Sequence, residues 1–247
     1  VADGFLWRSA EHAFRYAWTL PIHVMAAGFN TMDMLEQDLA YACACTRKQI
    51  HATATFGRAG AIYTGTCRNG IPPERSGARA VRLRTDDEEV CFNDQLQGLQ
   101  TCRIESEIGD FLLRRGDGLF SYHLALVVDD HDQGVTDVVR GIDLIDSSFP
   151  QIVLQRALGL PEPRYCHLPV AVNAAGQKLS KQTHAAPIDQ EIPVENIYKC
   201  LVFLKQNPPH DLLAASLDEI WTWARHHWSP EVLAGQRSGP ETVIMMQ

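Results

Sequence analysis

The chain has 247 residues, enough for one large or two modest domains. Apolar residues make up 45% of it and charged residues 21%, a balance typical of soluble globular proteins. Its longest apolar runs fall far short of the roughly 20 residues that a membrane span needs, and no apolar block near the start predicts a secretory signal. The net charge of −8 argues against a general nucleic-acid binder with a basic surface.

The seven cysteines are an odd number and a poor framework for disulfides. Cys43 and Cys45 are separated by a single residue, which suits a shared metal ion better than a disulfide. We therefore expect free thiols, a metal site and a reducing compartment, the cytoplasm.

The first part of the chain predicts two helices followed by short strands. Ser9 is a suitable cap for a helix over Ala10–Trp18, which Pro21 ends, and apolar spacing predicts a second helix over Thr31–Leu39. Apolar and basic residues alternate over 78–84, as in a half-exposed strand. Further short strands are predicted at Val90–Asn93, Leu99–Ile104, Asp110–Leu113 and Leu119–Tyr122. Together these strands predict a small β insertion.

The run Tyr122–Asp143 is predicted to be the centre of the fold. Its apolar segment Leu124–Val128 suits a strand buried on both faces, and it ends in two carboxylates, Asp129 and Asp130. A second predicted strand, over 135–139, ends at Arg140. Charged residues at such ends fall at the carboxyl edge of an α/β sheet, where ligands bind. The alternative is that these charges are solvated strand ends.

The last part of the chain predicts one more strand among several helices. Pro150–Leu158 is predicted to be a helix, and His167–Val172 a short strand that leads into the turn Asn173–Gly176. Helices are then predicted over Ile192–Asn207 and Asp211–Trp228, with a short helix opening at Pro230.

The cysteine segment predicts a tetrahedral metal site. Cys43 and Cys45 are close enough to face one ion, and Cys67 supplies a third sulfur. The spacing leaves two candidates for the fourth ligand. His51 is chemically the easier choice, whereas Tyr63 lies four residues before Cys67 and needs the metal to lower the pKa of its phenol. The alternative is three buried thiols that never meet.

Two further groups of residues carry chemistry. The loop Lys178–Gln182 reads K-L-S-K-Q, and its lysines Lys178 and Lys181 flank the small Ser180. Such a pair can clamp the phosphates of a nucleotide, although a solvated lysine loop is the alternative. Tyr122 and Arg140 bracket the central run and could hold the polar groups of an amino acid.

Three separated blocks carry a resemblance to a known family. The segment 117–144 is similar to the catalytic core of glutamyl- and glutaminyl-tRNA synthetases, and H-L-P-V-A-V-N-A-A-G-Q-K-L-S-K-Q at 167–182 resembles their lysine-loop signature. Together with C-x-C and Y-x-x-x-C, this loop resembles the glutamyl-Q tRNA(Asp) synthetases, short class I relatives without an anticodon-binding domain. The resemblance implies an α/β fold with a Rossmann-like core, a zinc-binding insertion and a helical C-terminal part.

The resemblance also implies a reaction and its residues. The family activates L-glutamate with ATP and Mg²⁺ and transfers it to the queuosine base of tRNA(Asp). Tyr122 and Arg140 are implied to contact glutamate, Lys181 and Ser180 to bind ATP, and Lys178 and Lys181 to act in catalysis. The implied zinc ligands are Cys43, Cys45, Tyr63 and Cys67. A monomer with no membrane partner is expected.

The resemblance also divides the chain into four segments. They are a remnant of the N-terminal nucleotide-binding half (1–40), the zinc-binding and β insertion (41–118), the second half of the catalytic core (119–186) and a helical region (187–247). The family's first ATP motif, a Gly- and His-rich segment, is not found, and Pro21–Gly28 matches it poorly. The first half of the nucleotide site is therefore expected to be missing or altered. Two alternatives follow, a catalytically inactive zinc and tRNA-binding module, or a fragment of an ordinary glutamyl-tRNA synthetase.

Overall fold

The computed structural model describes residues 31–58, 60–75, 77, 80–180, 183 and 185–241. The predicted helix Ala10–Trp18 and the segment Pro21–Gly28 lie outside the described residues, and so do Lys181 and Gln182 of the lysine loop. Within these ranges, no helix is long and apolar enough to cross a membrane.

The chain forms two compact units. Of the described residues, the first unit takes 31–90, Cys102–Val135 and Phe149–Glu162. The second takes Cys91–Thr101, Thr136–Ser148 and 163–241. Each unit is therefore assembled from segments that lie far apart in the sequence, so pairing between distant strands decides which residues meet.

The described residues contain eleven strands and six α-helices of four residues or more, besides a helical segment at 31–36. The strands are β1 (Ala40–Cys43), β2 (Phe56–Gly57), β3 (Gly60–Ala61), β4 (Ala80–Leu83), β5 (Glu89–Asp94), β6 (Gly98–Arg103), β7 (Leu112–Arg114), β8 (Asp137–Gly141), β9 (Arg164–Leu168), β10 (Val170–Val172) and β11 (Ser238–Pro240). The helices are α1 (Arg47–Thr53), α2 (Ile104–Glu107), α3 (Tyr122–Asp132), α4 (Ile145–Ala157), α5 (Pro193–Phe203) and α6 (Leu217–His227).

The first unit is built on a three-stranded antiparallel sheet in the order β1-β4-β7. Helix α3 contributes Leu124, Val127 and Val128 to the core that this sheet also lines. These positions are spaced by three and four residues, which places them on one face of a helix. Burying each such side chain stabilises the fold by about 1.5–3 kcal/mol.

The predicted strand Leu124–Val128 is wrong, because these residues form the middle of α3. Ser121 caps the helix by accepting a hydrogen bond from the Leu124 N–H at 3.3 Å, and this local bond favours a helix. The carboxylates of Asp129 and Asp130 therefore belong to the last turns of a helix and not to the edge of a sheet. A short apolar run fits either element, and here the cap decides between them.

Most of a four-stranded sheet in the order β6-β5-β9-β8 lies in the second unit. Strand β9 runs parallel to both β5 and β8, and its register with β8 places Arg140 opposite His167. Strand β5 alternates exposed and buried residues, with Asp94 the last buried one. The predicted strands at Val90–Asn93 and Leu99–Ile104 are confirmed as β5 and β6.

Several predicted boundaries differ in the structure. Helix α4 begins at Ile145, five residues before the predicted start, and it contains Pro150. The predicted helix Asp211–Trp228 is split into a 3₁₀ turn at His210–Ala214 and α6. Ser216 and Glu219 form a capping box that starts α6, an S-x-x-E signal that the sequence carries. Of the predicted strand Leu119–Tyr122, Phe120 forms an isolated β-bridge with Arg114, and Tyr122 begins α3 instead.

Candidate functional site

The predicted cysteine ligands lie together in the first unit. Cys43 ends strand β1, Cys45 follows two residues later, and Cys67 lies in a turn. Their three Sγ atoms lie within 4.8 Å of one another, and those of Cys45 and Cys67 are 3.6 Å apart. Cys43 and Cys67 are buried. The alternative in which the three thiols never meet is therefore excluded.

The Tyr63 hydroxyl completes this group of donors. Its oxygen lies 3.5 Å from Cys43 Sγ and 3.2 Å from Cys45 Sγ, and it accepts a hydrogen bond of 2.8 Å from the Cys67 N–H. A tetrahedral zinc with bonds of about 2.3 Å to sulfur and about 2.0 Å to oxygen needs S···S separations of about 3.8 Å and S···O separations of about 3.5 Å. The Cys45–Cys67 separation of 3.6 Å and the two sulfur-to-hydroxyl separations lie close to these values, so the arrangement is compatible with a tetrahedral metal.

His51, the other candidate for the fourth ligand, lies apart from the thiols. It is exposed on α1, and its ring centroid lies 6.3 Å from that of Phe56. Among the described histidine, cysteine and acidic residues, the three cysteines are the group that could hold a metal. The geometry therefore favours Tyr63 over His51.

Two guanidinium groups lie against the four donors. Arg75 Nη1 donates to Cys45 Sγ at 2.6 Å, and Arg82 Cζ lies 4.0 Å from the centre of the Tyr63 ring. Burial raises the pKa of the Cys43 thiol, but its hydrogen bonds with Tyr63, the Cys45 backbone and Arg82 outweigh burial and leave that pKa below its usual value. Burial and the adjacent thiols raise the pKa of the Tyr63 phenol. Ionising that phenol therefore calls for a bound cation.

A buried carboxylate supports this part of the first unit. Asp110 accepts hydrogen bonds from Tyr41 Oη at 2.5 Å, Arg68 Nη1 at 2.8 Å and Thr85 Oγ1 at 2.8 Å. Its backbone carbonyl accepts another from Arg82 Nη1 at 2.8 Å. Burial and the bond to Asp110 raise the pKa of the Tyr41 hydroxyl, which therefore stays a donor. Asp110 thus fixes the arginine that covers the ring of the predicted fourth ligand.

Arg140, the predicted partner of a substrate carboxylate, lies on β8 in the second unit. Its Nε donates to His167 Nε2 at 3.0 Å, and its Nη2 donates to Ser148 Oγ at 2.7 Å. The guanidinium carbon lies 5.7 Å from the centre of the Tyr165 ring. Two nitrogens of the guanidinium are therefore held by neighbours in its own unit.

Tyr122, the other predicted glutamate contact, begins α3 in the first unit. Its side chain is exposed, and its ring centroid lies 5.6 Å from that of His123. Tyr122 and Arg140 belong to different units. Their pairing in one substrate pocket stays a prediction.

The described part of the lysine loop is tied back to the second unit. Lys178 Nζ lies 2.5 Å from Asp143 Oδ2, and Ser180 accepts a hydrogen bond from the Thr183 N–H at 3.3 Å. Gly141 makes room for the carboxylate, because a Cβ there would lie 2.5 Å from Asp143 Oδ1. Lys178 is therefore oriented by an ion pair, and Lys181 lies outside the described residues.

Comparisons with known proteins connect these groups to a family. A family model described as the catalytic domain of class I tRNA synthetases (E and Q) matches residues 30–199. A glutamyl-Q tRNA(Asp) synthetase from Dechloromonas aromatica is 45% identical over 231 residues, which cover 91% of this chain and 76% of the relative. The chain belongs to the glutamyl-Q tRNA(Asp) synthetase family. This confirms the resemblance seen in the sequence.

This chain is also similar to two other family members and to a solved structure. Glutamyl-Q tRNA(Asp) synthetases from Aromatoleum aromaticum and Chromobacterium violaceum are 51% and 52% identical to this chain over 76% and 77% of its length. The chain spans only 59% and 63% of the lengths of these two relatives. The crystal structure of glutamate-tRNA synthetase from Elizabethkingia anophelis matches with a TM-score of 0.65 at 20% identity, covering 90% of this chain and 52% of that chain. This likeness concerns the fold alone, and with the family model it confirms the predicted α/β class I catalytic fold.

Sequence reasoning missed three residues of this glutamyl-Q tRNA(Asp) synthetase family member. Asp94, Ser148 and His167 are buried polar residues. Ser148 and His167 are hydrogen-bonded to Arg140, and Asp94 is hydrogen-bonded to His167. In the sequence, Asp94 directly follows the predicted strand Val90–Asn93, and His167 begins the predicted strand His167–Val172. The available signal was a polar residue at one boundary of each predicted strand, but only the pairing of β9 with β5 and β8 joins these residues to Arg140.

Proposed function

We propose that this protein activates L-glutamate with ATP and Mg²⁺ and transfers it to the queuosine base of tRNA(Asp). The observation that carries the proposal is the 45% identity to a glutamyl-Q tRNA(Asp) synthetase over 91% of this chain. We also propose that it acts as a monomer in the cytoplasm, where its seven cysteines can stay reduced.

The proposed reaction has two steps. In the first, an oxygen of the glutamate α-carboxylate attacks the α-phosphorus of ATP, and pyrophosphate leaves with the electron pair of the broken P–O bond. In the second, a hydroxyl of the queuosine ring attacks the activated carbonyl carbon, AMP leaves, and the hydroxyl proton is lost to solvent or base. Both steps build negative charge on phosphate oxygens, so positioned cations accelerate them.

Five residues of the chain are proposed to bind glutamate and ATP. Arg140 pairs with a glutamate carboxylate as a planar donor, and Tyr122 contacts the same substrate through its hydroxyl. Lys181 and Ser180 bind ATP, and Lys178 and Lys181 offset the charge that develops on the leaving phosphates. The ion pair of Lys178 with Asp143 holds its ammonium group in place before the nucleotide binds.

The four donors of the first unit are proposed to hold zinc. Cys43, Cys45, Cys67 and Tyr63 would be the ligands, and the ion would join the end of β1 to the turn at Cys67. Three thiolates and a phenolate around Zn²⁺ carry a net negative charge, which Arg75 and Arg82 lie close enough to offset. The proposed role of the metal is structural, since all four positions would be filled by protein.

Replacing Tyr63 by phenylalanine separates the two candidates for the fourth ligand. We expect Tyr63→Phe to weaken zinc binding by about 10-fold or more, because one coordination position loses its protein oxygen. His51→Ala is expected to leave zinc affinity unchanged, because His51 lies on the exposed face of α1. Competition titration with a chromophoric chelator measures both. A loss confined to His51→Ala would reverse the assignment.

Glutamate-dependent exchange of pyrophosphate into ATP tests the activation step. The complete natural gene product is expected to exchange label when L-glutamate and Mg²⁺ are present, and to give only background exchange with L-aspartate. Binding of tRNA(Asp) without exchange would instead identify an inactive binding module. Exchange followed by charging of tRNA(Glu) would identify an ordinary glutamyl-tRNA synthetase.

A further inference from the structure

Arg140 and His167 are held side by side by strand pairing. Strands β8 and β9 run parallel, and their register makes Arg140 and His167 direct partners across the pair. Arg140 Nε lies 3.0 Å from His167 Nε2. Arginine has donors and no acceptor, so the imidazole nitrogen must be the acceptor of this bond.

The direction of that bond determines where the imidazole carries its proton. Because His167 Nε2 accepts, the ring is neutral and its proton lies on Nδ1. That Nδ1 lies 2.6 Å from Asp94 Oδ2, and both side chains have no exposed surface. Asp94 therefore selects the tautomer of His167 that can accept from Arg140. A carboxylate that orients an imidazole in this way also makes its other nitrogen a better acceptor.

Asp94 is itself firmly placed. Its Oδ1 accepts hydrogen bonds from the backbone N–H groups of Leu96 at 3.0 Å, Gln97 at 2.9 Å and His167 at 3.2 Å. Burial raises the pKa of Asp94, but the hydrogen bonds from His167 and these backbone groups outweigh it, and the pKa lies below its usual value. The carboxylate therefore stays charged and acts only as an acceptor.

Two further neighbours limit the orientation of the guanidinium. Ser148 has no exposed surface and accepts a hydrogen bond from Arg140 Nη2 at 2.7 Å. The guanidinium carbon lies 5.7 Å from the centre of the Tyr165 ring. That ring is stacked on the His167 ring, with an angle of 10° between the two planes. With Nε and Nη2 both directed, the plane of the guanidinium is fixed.

We infer that Asp94 and His167 form a positioning pair that orients the Arg140 guanidinium for a carboxylate of the amino-acid substrate. This inference rests on the proposed function, in which Arg140 binds glutamate. Asp94 and His167 are positioning residues, because they act on the substrate through Arg140. An arginine that is oriented before binding loses less side-chain freedom when the carboxylate arrives, so the pair is expected to favour glutamate binding.

Two variants of His167 test the inference. His167→Leu removes the acceptor for Arg140 Nε, whereas His167→Gln keeps an acceptor oxygen on a flexible side chain. We expect His167→Leu to raise KM for glutamate by about 10-fold or more while KM for ATP changes less than about 2-fold. His167→Gln is expected to recover most of the glutamate KM. A parallel rise in both KM values, or the same loss in both variants, would show a merely structural role.

A readout that needs no catalysis separates failure of the inference from failure of the proposed function. In wild type, the ¹⁵N resonance of Arg140 Nε is expected to be sharp and its proton slow to exchange, because its acceptor, His167, is buried. His167→Leu is expected to abolish this protection and His167→Gln to restore it. An unprotected Arg140 Nε–H in wild type overturns the positioning pair. Protection in a protein that gives no glutamate-dependent exchange of pyrophosphate overturns the proposed function, and with it the positioning role toward a substrate.

Discussion

Replacing Cys67 by serine is expected to remove zinc from the protein and to destabilise the first unit. Cys67 is 1% exposed, and its Sγ lies 3.6 Å from that of Cys45. A serine hydroxyl is a poor replacement for a thiolate at zinc, so we expect binding at least about 100-fold weaker. At a zinc concentration that saturates wild type, this loss corresponds to about 2.7 kcal/mol of stability.

Metal content by mass spectrometry and thermal unfolding with and without chelator measure both effects. Wild type is expected to carry about one zinc per chain and to lose stability when the metal is removed. Cys91→Ser is the matched control, because Cys91 is an exposed free cysteine that lies outside the metal-ligand group. A Cys67→Ser protein with full zinc content and unchanged melting temperature would contradict the assignment.

The second large effect is expected at Arg140. Arg140→Leu removes the guanidinium proposed to pair with glutamate and leaves the acceptors on Ser148 and His167 without their donor. Truncating one member of a buried, hydrogen-bonded charge pair costs about 2–5 kcal/mol, so we expect kcat/KM for glutamate to fall by about 100-fold or more. Glutamate-dependent exchange of pyrophosphate into ATP is the measurement.

Arg164→Leu controls for the loss of an arginine from the same sheet. Arg164 lies on the neighbouring strand β9, and its exposed side chain pairs with Asp137 at 2.7 Å. An exposed ion pair of this kind contributes about 0–1 kcal/mol. We therefore expect near wild-type activity from Arg164→Leu, and equal losses in the two variants would exclude a special role for Arg140.

The metal-ligand group was the part of the site that could be predicted best from the sequence. A C-x-C pair restricts two sulfurs to one neighbourhood, so the meeting of Cys43 and Cys45 follows from local geometry. The fourth ligand did not follow, because His51 and Tyr63 both lie between the second and third cysteines. The structure separates them by placing His51 on the exposed surface of α1, while the Tyr63 hydroxyl lies 3.2 Å from Cys45 Sγ.

The central apolar run shows where pattern alone was insufficient. Leu124–Val128 was predicted to be a buried strand, yet it forms the middle of α3. A run of five apolar residues has no periodicity that distinguishes a strand from a helix. The signals for a helix were the preceding cap residue, Ser121, and the distance to Gly134, which leaves room for about three turns. Strand β5 was predictable, because it alternates buried and exposed residues along its whole length.

The surroundings of Arg140 depended on long-range pairing. Asp94, Arg140 and His167 end up in one hydrogen-bonded chain although 73 residues separate Asp94 from His167. No local spacing relates them, and only the parallel pairing of β9 with β5 and β8 brings them together. The sequence therefore predicted correctly that Arg140 lies near the end of a strand. Its hydrogen-bonded neighbours could be identified only from the register of the paired strands.

Transfer of labelled glutamate to purified tRNA(Asp) tests the proposed function most directly. The complete natural protein, ATP and Mg²⁺ would be incubated with tRNA(Asp) that carries queuosine and with the same tRNA that carries unmodified guanosine at that position. We expect label on the queuosine-containing tRNA alone, and none on tRNA(Glu). Label on tRNA(Glu), or equal labelling of the two forms of tRNA(Asp), would contradict the proposed function.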